Sequence, residues 1–254
     1  KPILTVHDDI AHLQLNRPEA LNALSFEILN ELDHIFDQLS LSSSRALIIT
    51  GAGPKSFCAG ADIKELTNRS LGEQKRGAEF GQAVFEKLNR LPMISIAVIH
   101  GFAFGGGLEL AMAATFRLIT EQAKLGLPEI KLGLIPGYGG TQRLPRLVGE
   151  ARALELIMSG RIVNAEEAIK IGLANRLVEG DPFLAGIEFA KEIVGYSLPV
   201  LALARSAIQR ALDVPLHEGL KIEADLSTLA YQTHDADEGM NAFIKKRKPV
   251  FRDV

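Results

Sequence analysis

The apolar and polar positions of the first 180 residues follow two alternating patterns. Short continuous apolar runs occupy residues 46–50 and 93–100, and residues 116–120 are again strand-like. Apolar residues recur at helical spacing in residues 25–39, and a second helix is predicted over residues 72–90, before Pro92. Continuous apolar runs of this length are typical of strands buried on both faces, and their alternation with helices favours parallel βαβ units. The pattern therefore predicts an α/β core.

The pattern changes after Pro182, where only helical spacing remains. The four helices predicted there span residues 183–194, 200–212, 216–231 and 238–245. We therefore divide the chain into a core, residues 1–181, and a C-terminal helical region, residues 182–254. No long linker separates them, so we expect the helical region to pack against its own core or against a neighbouring subunit.

The amino-terminal residues carry local signals for a hairpin and for a helix start. Residues 3–6 and 10–15 flank Asp8 and Asp9 and are predicted to form two strands joined by a tight turn. Ser25 is predicted to cap the helix that runs to about residue 39, because its hydroxyl group can accept a backbone N–H of the first turn.

Composition and charge exclude several classes of protein. Apolar residues make up 47% and charged residues 23% of the chain, and the net charge is −3, so we expect neither nucleic acid nor an anionic membrane as a partner. No apolar run approaches the roughly 18 residues of a membrane span. Cys58 is the only cysteine and the histidines match no metal motif, so we expect no internal disulfide and no metal site.

The sequence also bears on location. The chain begins with Lys1 rather than methionine, which is compatible with a removed upstream segment, and a single cysteine is compatible with a reducing compartment. We expect a cytoplasmic protein, or one of the mitochondrial matrix if a transit peptide has been removed.

The most informative stretch is a run of three glycines, Gly105, Gly106 and Gly107, at the start of an apolar helix that contains Glu109. Glycines at a helix start leave the outward-pointing backbone N–H groups open to a ligand. Glu109 shares a helical face with Gly106, and a lone acid in an apolar turn is a candidate for a raised pKa. Two plainer interpretations stay open: the glycines let two backbones pack closely, and Glu109 is a buried acid in a salt bridge.

Two further stretches carry candidate chemistry. Small residues at 59–61 can bring a backbone N–H to a ligand, although a tight loop before a helix capped by Asp62 explains this stretch equally simply. Glu129 follows a proline and precedes a glycine-rich turn that includes Gly137. It is either an acid that favours a helix N-terminus or a second carboxylate that works with Glu109.

Other motifs are absent or weak. No phosphate-binding glycine loop and no nucleophile-elbow pattern occur in the chain. A basic run at residues 245–248 is either a solvated helix end, where cations suit the helix dipole, or a phosphate contact.

Taken together, these stretches resemble the crotonase (enoyl-CoA hydratase/isomerase) superfamily. The resemblance covers nearly the whole chain and is carried by residues 16–24, 57–66, 101–114 and 128–143, and by 238–243 followed by 246–249. Several separated motifs in the family's order make the match specific.

The resemblance implies an α/β fold built as a spiral of repeated ββα units. It implies that the C-terminal helical region makes trimer contacts, and that the protein is a homotrimer or a homohexamer formed from two trimers. It also implies an acyl-CoA thioester as the ligand, with no separate cofactor because CoA enters as part of the substrate.

The resemblance further implies roles for individual residues. The backbone N–H groups that stabilise an enolate oxygen in this family match Ala61 and Gly106, and the acid/base pair of the hydratases matches Glu109 and Glu129. The implied substrate and CoA site consists of Ala61, Asp62, Ile63, Lys64, Gly106 and Gly137.

Because both acids are present, the implied activity is that of an enoyl-CoA hydratase, as in fatty-acid β-oxidation. Such an enzyme adds water syn across the 2,3 double bond of a trans-2-enoyl-CoA and forms a 3-hydroxyacyl-CoA. Enoyl-CoA isomerisation, or hydration of a branched, methylglutaconyl-type thioester, stays as an alternative. A non-catalytic or RNA-binding role fits the near-neutral charge less well.

Two positions depart from the family's pattern. Thr115 stands where many members carry an acid, so a local salt link is not expected here. Tyr138 replaces a smaller residue, so we expect its ring to shape the acyl pocket.

Overall fold

The computed structural model describes residues 1–254, which form two compact units, Lys1–Phe189 and Ala190–Val254. The predicted boundary after residue 181 lies at the start of a helix rather than between the units. That helix packs on the first unit, since a β-carbon added to Gly186 would lie 2.8 Å from the Ile48 side chain. The first unit therefore continues into it.

The elements follow one another with short connections. The strands are β1 (Ile3–His7), β2 (Ile10–Leu15), β3 (Ala46–Gly51), β4 (Ser56–Cys58), β5 (Ile94–Ile99), β6 (Phe102–Phe104), β7 (Phe116–Ile119), β8 (Lys124–Gly126), β9 (Val163–Asn164) and β10 (Arg176–Leu177). The helices are α1 (Phe26–Ser40), α2 (Ile63–Leu66), α3 (Leu71–Arg90), α4 (Gly106–Ala113), α5 (Gly140–Val148), α6 (Glu150–Ser159), α7 (Ala165–Lys170), α8 (Pro182–Lys191), α9 (Leu198–Arg210), α10 (Leu216–Ala230) and α11 (His234–Ile244). Two short 3-10 helices span Pro18–Ala20 and Pro128–Leu132.

Two sheets form the centre of the first unit. The larger has the strand order β1-β2-β3-β5-β7-β10, in which only the β1–β2 pair is antiparallel. The smaller has the order β4-β6-β8-β9, with β9 antiparallel to β8. Every residue of β3 and β5 is buried, as the continuous apolar runs predict. The predicted hairpin and parallel core are thus confirmed.

A long strand, a short strand and a helix recur in that order along the core. β3 is followed by β4 and α2, β5 by β6 and α4, and β7 by β8 and a 3-10 helix. In each repeat the long strand joins the larger sheet and the short strand joins the smaller one. This arrangement brings the starts of successive helices next to the short strands, where the candidate residues lie.

The second unit is helical, as its sequence pattern predicts. Asp235, at the start of α11, accepts the backbone N–H groups of Arg252 and Asp253 at 2.7 and 2.9 Å. Glu238, one turn later, pairs with Arg247, which holds the pKa of that carboxyl well below its ordinary value, at about 2. Arg247 of the basic run is therefore engaged in an ion pair. No helix in the structure has both the length and the apolar character that crossing a membrane requires.

Candidate active site

Helix α4 begins in the geometry that its glycines predict. Gly105 precedes the helix with φ of +48°, a left-handed conformation that favours glycine. Gly106 is the first helical residue, so its N–H lies outside the helix's own hydrogen bonds and is available to a ligand. The close-packing interpretation holds for Gly107, where an added β-carbon would overlap the Cys58 carbonyl group of β4. The three glycines thus have different structural roles: Gly105 adopts a positive φ, Gly106 exposes an amide and Gly107 permits close packing.

The loop at residues 59–61 is held by a short parallel bridge to Leu24. The Leu24 N–H donates to the carbonyl of Gly60 at 2.7 Å, and the Asp62 N–H donates to the carbonyl of Leu24 at 2.8 Å. In a parallel bridge of this kind the central residue directs its own N–H to the other side. The N–H of Ala61 therefore points away from Leu24.

The two predicted N–H donors lie close together. A β-carbon added to Gly106 would lie 3.4 Å from the backbone nitrogen of Ala61, and one added to Gly60 would lie 3.6 Å from the nitrogen of Gly106. Side chains at either glycine would lie in van der Waals contact with these amides. The structure therefore brings Ala61 and Gly106 together at one place, beside the α4 N-terminus.

Glu109 is buried, with 1% of its surface exposed. Its Oε1 accepts the backbone N–H groups of Tyr138 and Gly140 at 2.8 and 2.7 Å, and both bonds leave its Oε2 without a protein partner. Burial raises the pKa of Glu109 to about 7, and the carboxyl of Glu129 adds to the rise. The salt-bridge interpretation of this acid does not hold, because backbone amides are its hydrogen-bond partners.

Glu129 lies in the 3-10 helix Pro128–Leu132 and faces the start of α4. A β-carbon added to Gly105 would lie 2.8 Å from Oε1 of Glu129. Its Oε2 is buried and has no hydrogen-bond partner, and burial raises its pKa above the ordinary value. A buried carboxyl oxygen without a partner is costly, and sites that act on a ligand contain such groups.

The remaining predicted residues lie at the start of α2 and in the glycine-rich turn before α5. Asp62 caps α2 by accepting the Lys64 N–H at 3.2 Å, and it pairs with Arg17 at 2.8 Å, so the capping interpretation is correct for it. The side chains of Ile63 and Lys64 are exposed on α2. At Gly137 an added β-carbon would meet nothing within 4 Å, so its Cα faces open space.

The side chain of Tyr138 packs between α3 and α4. Its ring meets that of Phe85 edge-on at 5.7 Å, and it lies 3.2 Å from where a β-carbon on Gly106 would be. A β-carbon on Gly81 would overlap the same ring. Burial raises the pKa of Tyr138 to about 12, so its hydroxyl group is neutral at physiological pH. The ring therefore forms a wall next to the Gly106 amide.

The polar groups of Thr115 form hydrogen bonds with Ser95 rather than with an acid. Its backbone N–H donates to Ser95 Oγ at 2.9 Å, and the Ser95 N–H donates to Thr115 Oγ1 at 3.2 Å. Nearby Arg117 is buried and donates to the carbonyls of Leu173 and Ala114, both at 2.9 Å. Without a carboxylate partner, burial lowers the pKa of Arg117 to about 10.

Comparisons with known proteins place the chain in one family. The model of the enoyl-CoA hydratase/isomerase family matches residues 5–254. The chain belongs to the enoyl-CoA hydratase/isomerase family. The crotonase-like α/β fold that the resemblance implies is confirmed, because solved enoyl-CoA hydratase structures match the whole chain.

Among the family's curated members, a crotonyl-CoA hydratase from Syntrophomonas wolfei is 40% identical over 251 residues, which cover 98% of this chain and 96% of the relative. A short-chain-enoyl-CoA hydratase from Clostridium acetobutylicum is 39% identical over an alignment that covers 97% of this chain and 95% of the relative. An enoyl-CoA hydratase structure from Bacillus anthracis has a TM-score of 0.92 at 38% identity and covers 100% of this chain and 99% of that one.

Sequence reasoning missed two residues that shape this site in the enoyl-CoA hydratase/isomerase fold. Gln82 of α3 donates to the carbonyl of Gly137 at 2.8 Å, and Arg143 of α5 donates to that of Tyr138 at 3.1 Å. Arg143 is the last residue of segment 128–143, which carries part of the family resemblance. Its place in that segment is the one feature of the sequence that could have indicated a role at the site. Gln82 has no signal, because polar residues on a half-exposed helix are ordinary.

Proposed function

We propose that this protein is an enoyl-CoA hydratase, a hydro-lyase that adds water to a trans-2-enoyl-CoA and forms a 3-hydroxyacyl-CoA. One observation carries the proposal: the buried carboxyl group of Glu109 and the partly buried one of Glu129, whose Oε2 is shielded and unpartnered, lie near the amides of Ala61 and Gly106. Hydration needs both a group that activates water and a group that protonates carbon, together with donors for the charge on the carbonyl oxygen.

The amides of Ala61 and Gly106 are proposed to hold the thioester oxygen. Attack of water at C3 moves an electron pair through C2 to this oxygen, which becomes an enolate oxygen with negative charge. Fixed backbone donors stabilise that charge more than they stabilise the neutral substrate. Losing one such donor typically raises the barrier by about 3 kcal/mol.

The carboxyl groups are proposed to divide the proton transfers. In the family pattern Glu109 takes a proton from the water that attacks C3, and Glu129 gives a proton to C2, so addition occurs on one face. The free Oε2 of Glu109 and the unpartnered Oε2 of Glu129 are the atoms available for these tasks. A base with a pKa near the working pH is both ionised and basic enough to act.

The acyl-CoA is proposed to run from these amides along residues 61–64, with Gly137 beside the reacting water. Similarity to relatives named for crotonyl-CoA and short-chain enoyl-CoA supports a short acyl group and a role in fatty-acid β-oxidation or a related degradation. Protein groups and water supply all the chemistry of the proposed reaction, so no further cofactor is proposed.

Glu109→Gln and Glu129→Gln test the assignment. Each keeps the size of the side chain but removes a proton acceptor or donor, so we expect hydration of crotonyl-CoA to fall by a factor of roughly 10² or more. Glu121→Gln, at an exposed turn, is the matched control and should keep wild-type turnover. Near wild-type turnover in either site variant would show that the two-acid assignment is wrong.

Product analysis separates hydration from isomerisation. The wild-type protein is given a trans-2-enoyl-CoA and a 3-enoyl-CoA in parallel. A hydratase converts the first to the 3-hydroxyacyl-CoA, whereas conversion of the second alone would favour the isomerase.

A further inference from the structure

The glycine-rich turn at residues 137–140 donates both hydrogen bonds to Glu109. Side chains from two helices, α3 and α5, donate hydrogen bonds to the carbonyl groups of this turn. On one side Gln82 of α3 donates to the Gly137 carbonyl. On the other side Arg143 of α5 donates to the Tyr138 carbonyl. The Gly137 carbonyl shares a peptide plane with the Tyr138 N–H that donates to Oε1 of Glu109, so the bond from Gln82 fixes the direction of that amide. The Tyr138 carbonyl belongs to the next peptide unit, which lies between the two units that donate to Glu109, so the bond from Arg143 holds the middle of the turn.

Arg143 is well placed to hold this turn. Its guanidinium group folds back over Gly139, whose φ is +112° and where a β-carbon would overlap Nη1 of Arg143. Nη2 lies 3.5 Å from a carboxyl oxygen of Glu86 on α3. One-fifth of the Arg143 side chain is exposed, so the group is packed rather than solvated. The planar fork thus connects α3, the turn and α5.

The charged groups around Glu109 define the local field. Glu129 raises the pKa of Glu109 and Arg143 lowers it. The Tyr138 hydroxyl group carries no charge, because burial raises its pKa to about 12. Glu86 stands behind Arg143 and neutralises part of its charge. Arg143 therefore affects Glu109 by its charge and by the turn that it holds.

We propose that Arg143 is a positioning residue for hydration, which fixes the Tyr138 carbonyl so that the turn's two amides stay on Oε1 of Glu109. Oε2 is then kept free for the water. This inference rests on the proposed function, because it assigns the residue to a reaction that Glu109 carries out. Arg143 touches neither the acyl group nor the water in this scheme.

The test compares pH profiles of kcat/KM for crotonyl-CoA hydration in three variants. Arg143→Gln removes the positive charge and the guanidinium hydrogen bonds, so the pKa of Glu109 should rise. We therefore expect the acid limb of the profile, where kcat/KM falls at low pH, to move to higher pH by at least about half a unit. Turnover near neutral pH should fall roughly tenfold. Arg143→Lys keeps the charge and should hold the limb near its wild-type position. Arg146→Gln, an exposed residue one turn further along α5, is the matched control and should leave the profile unchanged.

Glu86→Gln gives an independent result with Arg143 still in place. Without its carboxylate neighbour, the guanidinium group is less neutralised, so the acid limb should move to lower pH, opposite to Arg143→Gln. This variant keeps the experiment decisive if Arg143→Gln is too unstable to assay. A limb that stays fixed or moves upward in Glu86→Gln would overturn the proposal.

A purely structural role for Arg143 would look different. Turnover would then fall by the same factor at every pH, the limb would not move, and the melting temperature would fall with the activity. That outcome overturns the positioning role. If instead the wild type fails to hydrate crotonyl-CoA, or Glu109→Gln keeps its activity, the proposed function itself is wrong, so the two failures are distinguishable.

Discussion

At the scale of single residues, the burial that suits Glu109 to its proposed chemistry also weakens the fold. Its pKa is raised from 4.5 to about 7, so between these values the folded protein binds a proton that the unfolded chain releases. The free energy of unfolding therefore falls as the pH rises through this window and stays lower above it. Below about pH 4.5 the acid is protonated in both states and contributes nothing to this difference.

Glu109→Gln should accordingly be more stable than the wild type at pH 8, by up to about 3 kcal/mol, and equally stable near pH 4. The amide oxygen can still accept the N–H groups of Tyr138 and Gly140. Denaturant unfolding of both proteins at the two pH values measures the difference. An advantage of the same size at both values would contradict the raised pKa.

Tyr138 is the residue that we expect to limit acyl length. Tyr138→Ala removes the ring beside Gly106 and opens space there, so kcat/KM for 2-hexenoyl-CoA should rise relative to that for crotonyl-CoA. Tyr138→Phe keeps the ring and is the control; its ratio should match the wild type. The alanine variant should also lose about 3 kcal/mol of stability, since a buried aromatic is removed. An unchanged ratio would place the acyl group elsewhere.

At the scale of elements, glycines that look equivalent in the sequence have separate functions in the structure. Gly107 lets α4 approach β4, and Gly106 exposes an amide. The sequence alone leaves both interpretations open, because it does not show which backbone lies opposite each residue. The long buried strands could be predicted from continuous apolar runs, whereas β4, β6 and β8 have three residues each and show no periodicity.

Gly107→Ala and Gly137→Ala should therefore behave in opposite ways. A methyl group at 107 overlaps the Cys58 carbonyl, so we expect a loss of about 3 kcal/mol and a clear fall in melting temperature. A methyl group at 137 meets nothing within 4 Å, so the fold should be retained. If Gly137 faces the water as proposed, hydration should nevertheless slow. A destabilised Gly137→Ala or a fully stable Gly107→Ala would contradict this.

At the scale of the whole molecule, the ββα repeat explains why distant segments meet. Residues 61, 106 and 129 come from the three successive repeats, and the parallel short strands align the chain ends that carry them. Residue 137 follows the third repeat, in the turn before α5. The family resemblance could name these residues from the sequence. The contacts from Gln82 and Arg143 could not be named, because they depend on how α3 and α5 lie against one turn.

The C-terminal helical region is proposed to make trimer contacts, as the family resemblance implies. Large apolar side chains such as Ile208, Leu216 and Phe243 are between 73% and 85% exposed in the second unit of the single chain, so they are available for contacts with neighbouring subunits. Sedimentation equilibrium should give three or six times the 27.5 kDa chain mass. A monomer at micromolar concentration would contradict the proposal.

The chain contains no tryptophan and only three tyrosines, Tyr138, Tyr196 and Tyr231. Tyrosine emission, normally masked by tryptophan, is therefore directly visible in this protein. Replacing Tyr196 and Tyr231 by phenylalanine would leave a single fluorophore, the ring that packs beside Gly106 and Glu109. Such a variant carries its own optical probe, so ligand entry and proton release at the buried acid can be followed by light without attaching a dye.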